Sequence, residues 1–576
     1  MPAPSDQVIS RESAFPRTGG DVVLDVVADW GADYLFGCPG STEVPILDAS
    51  VGRSGPQFLL VPHEGVAVSA ADGYARATGR PGVVTLHANV GLANGVSQAH
   101  AAQMSRVPVV LLNIIKQRSI LSHGAFTVAR DHEEMVGQYT KQAWVTMRPE
   151  ELREDLDEAF RVALQPPQGP VYLGIPQDVL EQPATDERGT VYPRTVMPAP
   201  CDSRPAAGAI EAAADLLMDC RRPLMIAGGG TATPESFRLV QQVAEALGAG
   251  VCCENRISLD FTGFPTDHPQ FLGPYSPGHP ALPEFDAILA VGTRLFVEFV
   301  PPAQPWLPPG VALVHLYDDA SEIGRLYPPT VALHGTVALG LADLLDAVAA
   351  RTARQPGLVQ ERRQRVAELR EQRSRKVNAR LQAVADIQPI DVARLMGALG
   401  GMMSDGTTVI VDAATSHDQA VDFLPRSSHM SFHASASSGN LGWGMGAALG
   451  FKLGAPERTV VAVLGDGVFM FGIPALWLAA KHSLPVVLVV INNGMYAAVK
   501  AGLLRLGGRA AAARIFPGTD IVGVDHVQAA AAFGVRGERV AQPGDLEAAL
   551  ARAVAADEPY LVEVMTNPSD VGALAR

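Results

Sequence analysis

The chain has 576 residues, of which 47% are hydrophobic and 18% charged, a balance that argues against disorder and, at this length, against one ordinary core. A formal net charge of -15 with no basic stripe argues against a nucleic-acid partner, because few cations are grouped to displace counterions from a phosphate backbone. The five cysteines, Cys38, Cys201, Cys220, Cys252 and Cys253, show no CxxC spacing, and no charged start leads into an apolar secretory segment. A reduced, cytoplasmic protein without membrane spans is the expectation.

In chain order, Asp21 is expected to cap a helix running toward Trp30, followed by a strand at Tyr34 to Phe36. Strand-like runs at Val83 to Leu86, Val107 to Asn113 and Val171 to Ile175 alternate with helical stretches, as in a parallel sheet covered on both faces. A proline- and charge-rich linker over 181–200 closes this block, which spans 20–180.

A second α/β block over 205–350 carries Leu224-Met225-Ile226 running into Gly228-Gly229-Gly230, then Ile288 to Val291 and Val311 to Leu316. The glycine run lacks the spaced dinucleotide fingerprint and reads as a tight turn at a strand end. The Arg- and Glu-rich stretch 351–380 reads as a connecting helix with a solvated face. A third block, 387–570, contains Thr408 to Val411, the glycine-rich 439–450, and a last strand at Tyr560 to Met565. The first and third blocks share one rhythm of elements.

The most specific signal is Gly465-Asp466-Gly467 after the apolar run Val460 to Leu464, with Asn492-Asn493 ending the run Val486 to Ile491. Two buried strands would deliver a carboxylate and an amide oxygen to one sheet edge, a hard donor pair suited to Mg²⁺ on a diphosphate. The glycines let the backbone approach phosphate closely. Taken alone, Gly-Asp-Gly is also an ordinary surface turn.

These residues, together with Phe36-Gly37-Cys38-Pro39-Gly40-Ser41, His63-Glu64-Gly65, Ala71-Asp72-Gly73-Tyr74-Ala75, Leu86-His87-Ala88 and Gly439-Asn440-Leu441-Gly442, resemble the thiamine diphosphate (ThDP) dependent 2-keto acid decarboxylases and acetohydroxyacid synthases. Among subfamilies the motifs look closest to benzoylformate decarboxylase. The resemblance implies three α/β domains with parallel central sheets, the ThDP-binding fold of the decarboxylase type. It also implies Mg²⁺ held by Asp466, Asn493 and the carbonyl of Met495, with Gly465, Gly467 and Val468 lining the diphosphate.

Further roles implied by the resemblance are Thr415 and Ser416 as hydroxyl contacts to the diphosphate, although either could be a helix cap. The Gly439 carbonyl would take the pyrimidine amino hydrogen, Leu441 would wedge the cofactor into its bent form, and Tyr496 would cover the site. Glu64 would hold a proton at the aminopyrimidine ring; a helix N-terminal charge is its plain alternative. Ser41 would contact the substrate, His87 would handle protons, and His123 faintly resembles a histidine on an active-site loop. Asn440 replaces a glycine of close relatives. Phe299 falls where benzoylformate decarboxylase has a second histidine, and a phenyl ring can neither donate nor accept that proton.

The expected reaction is therefore non-oxidative decarboxylation of a 2-keto acid to an aldehyde. A carboligase joining that fragment to an aldehyde or keto acid acceptor is the enzymatic alternative, and a non-catalytic ThDP-binding paralogue the other. FAD in the central domain is compatible with the acetohydroxyacid synthase likeness but not favoured. The family pattern of sites shared between subunits implies at least a homodimer, and a homotetramer by preference.

Overall fold

The computed structural model describes residues 16–184, 202–254, 259–279, 282–297, 302, 304–353 and 355–567. Its framework is three six-stranded parallel sheets. The first comprises β1 (Tyr34–Gly37), β2 (Gln57–Leu60), β3 (Gly82–His87), β4 (Val109–Ile115), β5 (Ala143–Val145) and β6 (Val171–Pro176). The second comprises β7 (Pro223–Ala227), β8 (Gly250–Cys253), β9 (Phe271–Pro274), β10 (Ala287–Val291), β11 (Ala312–Tyr317) and β12 (Val331–His334). The third comprises β13 (Thr407–Asp412), β14 (Phe432–Ala434), β15 (Thr459–Gly465), β16 (Val486–Asn492), β17 (Arg536–Val540) and β18 (Tyr560–Met565).

The first sheet runs β2-β1-β3-β4-β6-β5 and the third β14-β13-β15-β16-β18-β17, the same order offset by twelve strands. The shared rhythm of the two blocks is thus a shared topology. The second sheet runs β12-β11-β10-β7-β8-β9, a doubly wound order whose direction of winding changes between β7 and β10. The central strands are mostly apolar, as burial on both faces requires: β4 is buried along its whole length, and β15 and β16 are buried except at their ends.

The chain forms two compact units. One contains residues 1–200, 445–456 and 472–484, and the other the remainder. Within the first unit the helix Glu64–Thr78 meets the segment 445–454 at glycines. A Cβ on Gly73 would lie 2.0 Å from the carbonyl oxygen of Ala447, and one on Gly450 would lie 1.8 Å from that of Ala70. The Ala71-Asp72-Gly73-Tyr74 motif is accordingly structural: Asp72 pairs with Arg76 at 2.6 Å in a buried bridge, and the Tyr74 hydroxyl donates to Asp33 at 2.7 Å.

One helix cap differs from the expected residue. The first helix is Gly19–Asp29, and its cap is Thr18, with Asp21 as the third-residue partner of a capping box. The connecting helix is Pro356–Ala383, and Arg362 on its buried face donates to the carbonyls of Leu247 and Leu217 at 3.0 and 3.2 Å. Most of the 181–200 linker, Cys201 and Phe299 lie outside the described residues.

Candidate active site

At the carboxyl edge of the first sheet, Glu64 opens the helix Glu64–Thr78 behind the cap His63, whose Nδ1 accepts from the Gly65 N–H at 3.1 Å. Glu64 is only 8% exposed. Asn94 donates to its Oε2 at 3.0 Å, and Oε1 has no hydrogen bond among the described residues. Gly91 leaves Oε1 uncovered, since a Cβ there would come within 3.0 Å of it. A buried carboxyl with one oxygen anchored and one free can hold a proton against a ring nitrogen. The helix N-terminal position is real as well.

His87 ends β3 beside the Ser41 loop. Its Nδ1 lies 2.8 Å from Thr42 Oγ1 and 3.1 Å from Glu43 Oε2. The same Glu43 oxygen accepts from the Gly40 N–H at 2.9 Å, and the Glu43 side chain is fully buried. Gly40 is needed here, because a Cβ would meet the His87 ring at 2.4 Å. The turn after His87 is strained, with Ala88 at φ 46. Asn113 straps it by donating to the carbonyls of Leu86 and Ala88 at 2.8 and 2.7 Å, and Tyr172 in turn donates to Asn113 at 3.0 Å. Glu43, Asn94 and Asn113 were not singled out from the sequence.

Ser41 is exposed on the loop after β1 and accepts from Lys116 Nζ at 3.2 Å. His123 is exposed in the turn Arg118–His123 and bonds to none of these residues.

At the carboxyl edge of the third sheet, β15 and β16 pair in register, bringing Asp466 beside the asparagine pair. Asp466 Oδ2 accepts from the N–H groups of Asn493 and Gly494 at 3.0 and 2.7 Å, and Oδ1 from Gly467 at 2.8 Å. Burial pushes this carboxyl up, and the three N–H groups offset part of the push. Asn493 Oδ1 accepts from the Met495 N–H at 3.0 Å. The Met495 carbonyl accepts from Ala497 at 3.0 Å and retains a second lone pair. Asn492 is structural: its Nδ2 donates to the buried Glu563 at 2.7 Å.

Tyr496 lies over Gly467, where a Cβ would meet the ring at 2.4 Å, and Val468 is buried beneath. Among the described residues no three His, Cys, Asp or Glu side chains converge as a metal site. A cation here would therefore draw on one carboxylate, an amide oxygen, a carbonyl and phosphate oxygens, a donor set that fits Mg²⁺.

Thr415 and Ser416 follow β13 just before the helix His417–Phe423; Ser416 occupies the cap position without a side-chain cap bond. Gly439 is exposed at φ 68, and Leu441 is half-buried. Two carboxylates unnoticed in the sequence set this loop. Asp412 accepts from the Gly444 N–H at 2.9 Å, and burial pushes its carboxyl up to about 7. Asp260, from the segment following β8, accepts from the Ser437 N–H at 3.3 Å and from its hydroxyl.

In the second sheet Gly228-Gly229-Gly230 forms a tight turn after β7. The Gly229 N–H already donates to Glu254 Oε2 at 3.3 Å, and a Cβ on Gly229 would meet the Phe261 ring at 3.1 Å. A carboxylate on the donor that a pyrophosphate would need, with a ring over the turn, does not fit FAD phosphates in this crevice.

Three family models match in order: the N-terminal TPP binding domain of thiamine pyrophosphate enzymes over 17–135, the central domain over 210–344, and the C-terminal TPP binding domain over 412–564. A benzoylformate decarboxylase of Pseudomonas aeruginosa is 31% identical over 96% of this chain and 99% of its own length. A probable acetolactate synthase large subunit of Methanocaldococcus jannaschii is 26% identical over 96% of this chain and 92% of its own. A solved ThDP-dependent 4-hydroxybenzoylformate decarboxylase of Rhodococcus jostii superposes with a TM-score of 0.81 at 27% identity, covering 96% of this chain and 100% of its own. With ThDP-binding domains at both ends and the central domain between them, this chain belongs to the thiamine pyrophosphate enzymes.

Proposed function

We propose that this enzyme uses ThDP and Mg²⁺ to decarboxylate a 2-keto acid to the corresponding aldehyde. The observation that carries the reading is the His87–Glu43 pair beside Ser41. Loss of CO₂ must be followed by delivery of a proton to carbon, and an imidazole held through Nδ1 presents Nε2 for that transfer. The likeness to benzoylformate decarboxylases supports the same choice.

When bound, ThDP supplies the electron sink that makes loss of CO₂ accessible. Glu64 holds a proton at the aminopyrimidine ring nitrogen, and Asn94 fixes the carboxyl that does so. Asp466, Asn493 and the Met495 carbonyl hold Mg²⁺, and Thr415 and Ser416 reach the diphosphate. Gly439 and Leu441 position the pyrimidine, with Asp260 and Asp412 keeping their loop in place. Glu43 fixes the His87 tautomer, and the hydroxyl of Ser41 can donate to a substrate oxygen. His123 is left without an assigned role.

A homodimer or homotetramer in a reducing cytoplasm belongs to the same reading. It is supported by the family likeness and by the free thiols of Cys38, Cys220, Cys252 and Cys253. Among the described residues no helix is long and apolar enough to cross a membrane.

The test is a panel of 2-keto acids given to protein with Mg²⁺ and ThDP, with and without an aldehyde acceptor, followed by mass spectrometry of CO₂ and organic products. CO₂ with the simple aldehyde is expected. A 2-hydroxy ketone or acetohydroxyacid as main product would move the chain to the carboligases, in keeping with its acetolactate synthase relatives. No product and no exchange of the cofactor C2 proton would make it a non-catalytic binder.

A further inference from the structure

Three neighbouring strands of the first sheet, β1, β3 and β4, end at the same carboxyl edge, where an α/β sheet takes its ligands. Each delivers one polar group there: Ser41 beyond β1, His87 at the end of β3, and Lys116 directly after β4. The register places His87 opposite Ile114, two residues before Lys116.

Lys116 stands out from the residues that follow it. Gln117 donates to Glu181 at 3.3 Å, and Arg118 is committed to Asp178 at 2.7 Å. Lys116 has no carboxylate partner among the described residues; its one hydrogen bond goes to Ser41 Oγ. In a chain with a formal charge of -15, an ammonium with no carboxylate partner among the described residues, beside Ser41, is positioned for an anion from outside the protein. Ser41 accepts from Lys116 and so keeps its own hydroxyl hydrogen for a ligand, while two further N–H groups of the ammonium remain available.

Which anion follows from the reaction. A cation pressed against the carboxylate that leaves as CO₂ would favour the charged ground state and oppose the step. The ammonium suits a second anionic group, carried on the side chain of the keto acid. We infer that Lys116, with Ser41, is a specificity-determining residue that selects 2-keto acids bearing a second carboxylate over those with a neutral side chain. This rests on the decarboxylase reading above and names its substrate class.

The test compares kcat/KM for 2-oxoglutarate and benzoylformate in the wild type, Lys116→Met and Lys116→Arg. Calorimetry of the unreactive diacid glutarate, on protein loaded with Mg²⁺ and ThDP, is run beside it. The wild type is expected to favour 2-oxoglutarate. Lys116→Met should lower that preference at least ~10-fold, through KM, as one lost charge contact of about 1.4 kcal/mol implies. Lys116→Arg should keep most of it, and the glutarate Kd should rise in parallel in Lys116→Met.

A wild type that favours benzoylformate, or a preference and a glutarate Kd both unmoved within twofold by Lys116→Met, overturns the inference. Turnover of neutral keto acids with either of those results leaves the decarboxylase reading intact. If no keto acid is turned over, the decarboxylase reading fails, and the glutarate arm alone decides whether Lys116 binds a diacid.

Discussion

Glu43 Oε2 lies 3.1 Å from His87 Nδ1, and the whole Glu43 side chain is withdrawn from solvent. A buried carboxylate on one imidazole nitrogen sets the tautomer and leaves the other nitrogen for chemistry. Replacing Glu43 by Gln keeps the shape but replaces an acceptor-only oxygen pair by an amide that can turn its NH₂ toward Nδ1 and so loosen the hold on the ring. The expected result is a kcat lower by about 10- to 100-fold with KM little changed. A kcat within twofold of wild type would mean that Glu43 only supports the loop.

Glu64→Gln tests the other carboxyl of the first sheet. Asn94 can still engage the side-chain oxygen, so folding and Mg²⁺-ThDP binding should persist. Exchange of the cofactor C2 proton, read by NMR after acid quench, should slow by at least ~10²-fold. Exchange within twofold of wild type would reject the role given to Glu64.

Asp260 reaches Ser437 from the segment after β8, two residues before Gly439. Asp260→Ala releases both the N–H and the hydroxyl of Ser437, loosening a loop that must hold its shape before the cofactor arrives. The ThDP Kd, followed by quenching of intrinsic fluorescence at saturating Mg²⁺, is expected to rise about 5- to 20-fold, the range for one to two lost hydrogen bonds. A Kd within twofold of wild type would show that the loop is set without Asp260.

What the sequence disclosed and what it hid separate along a physical line. Asp466 stood out because a carboxylate between glycines closes one apolar strand, and Asn493 because a second apolar strand ends in a polar pair 27 residues on. Glu43 was not, because it sits in an unremarkable Ser-Thr-Glu run and gains meaning only when the loop folds under His87, 44 residues away. Asp412 likewise ends an ordinary strand, and its partner Gly444 is 32 residues on. Asn113 did leave a signal, a lone amide inside the fully buried β4, where an unpaired polar group would be costly. Gly73 and Gly450 gave no sign of the helix crossing in the sequence, since periodicity cannot show which glycine lies against another backbone.

Gly73→Ala tests that crossing. The added methyl would sit 2.0 Å from the Ala447 carbonyl oxygen, a backbone atom that cannot swing aside. Helix propensity alone would favour alanine by about 1 kcal/mol, so a loss of stability isolates the clash. The expected outcome is a net destabilisation of about 1–3 kcal/mol, seen as a lower denaturant midpoint with an unchanged slope. A variant as stable as wild type would show that the helices separate at little cost.

Glu254 gives a pH dependence whose sign can be fixed. Burial pushes its carboxyl up to about 7, from an ordinary value of 4.5 in the unfolded chain. Between those values the folded protein holds a proton that the unfolded chain has released, so stability falls as pH rises through this window and the full cost is present above about pH 7. At roughly 1.4 kcal/mol per unit the span corresponds to about 3 kcal/mol. Glu254→Gln removes the titration while keeping an acceptor for the Gly229 N–H. The variant should match wild type in thermal stability near pH 4 and exceed it progressively toward pH 8. A difference between the two proteins that stays constant across that range would show that the Glu254 carboxyl does not titrate there.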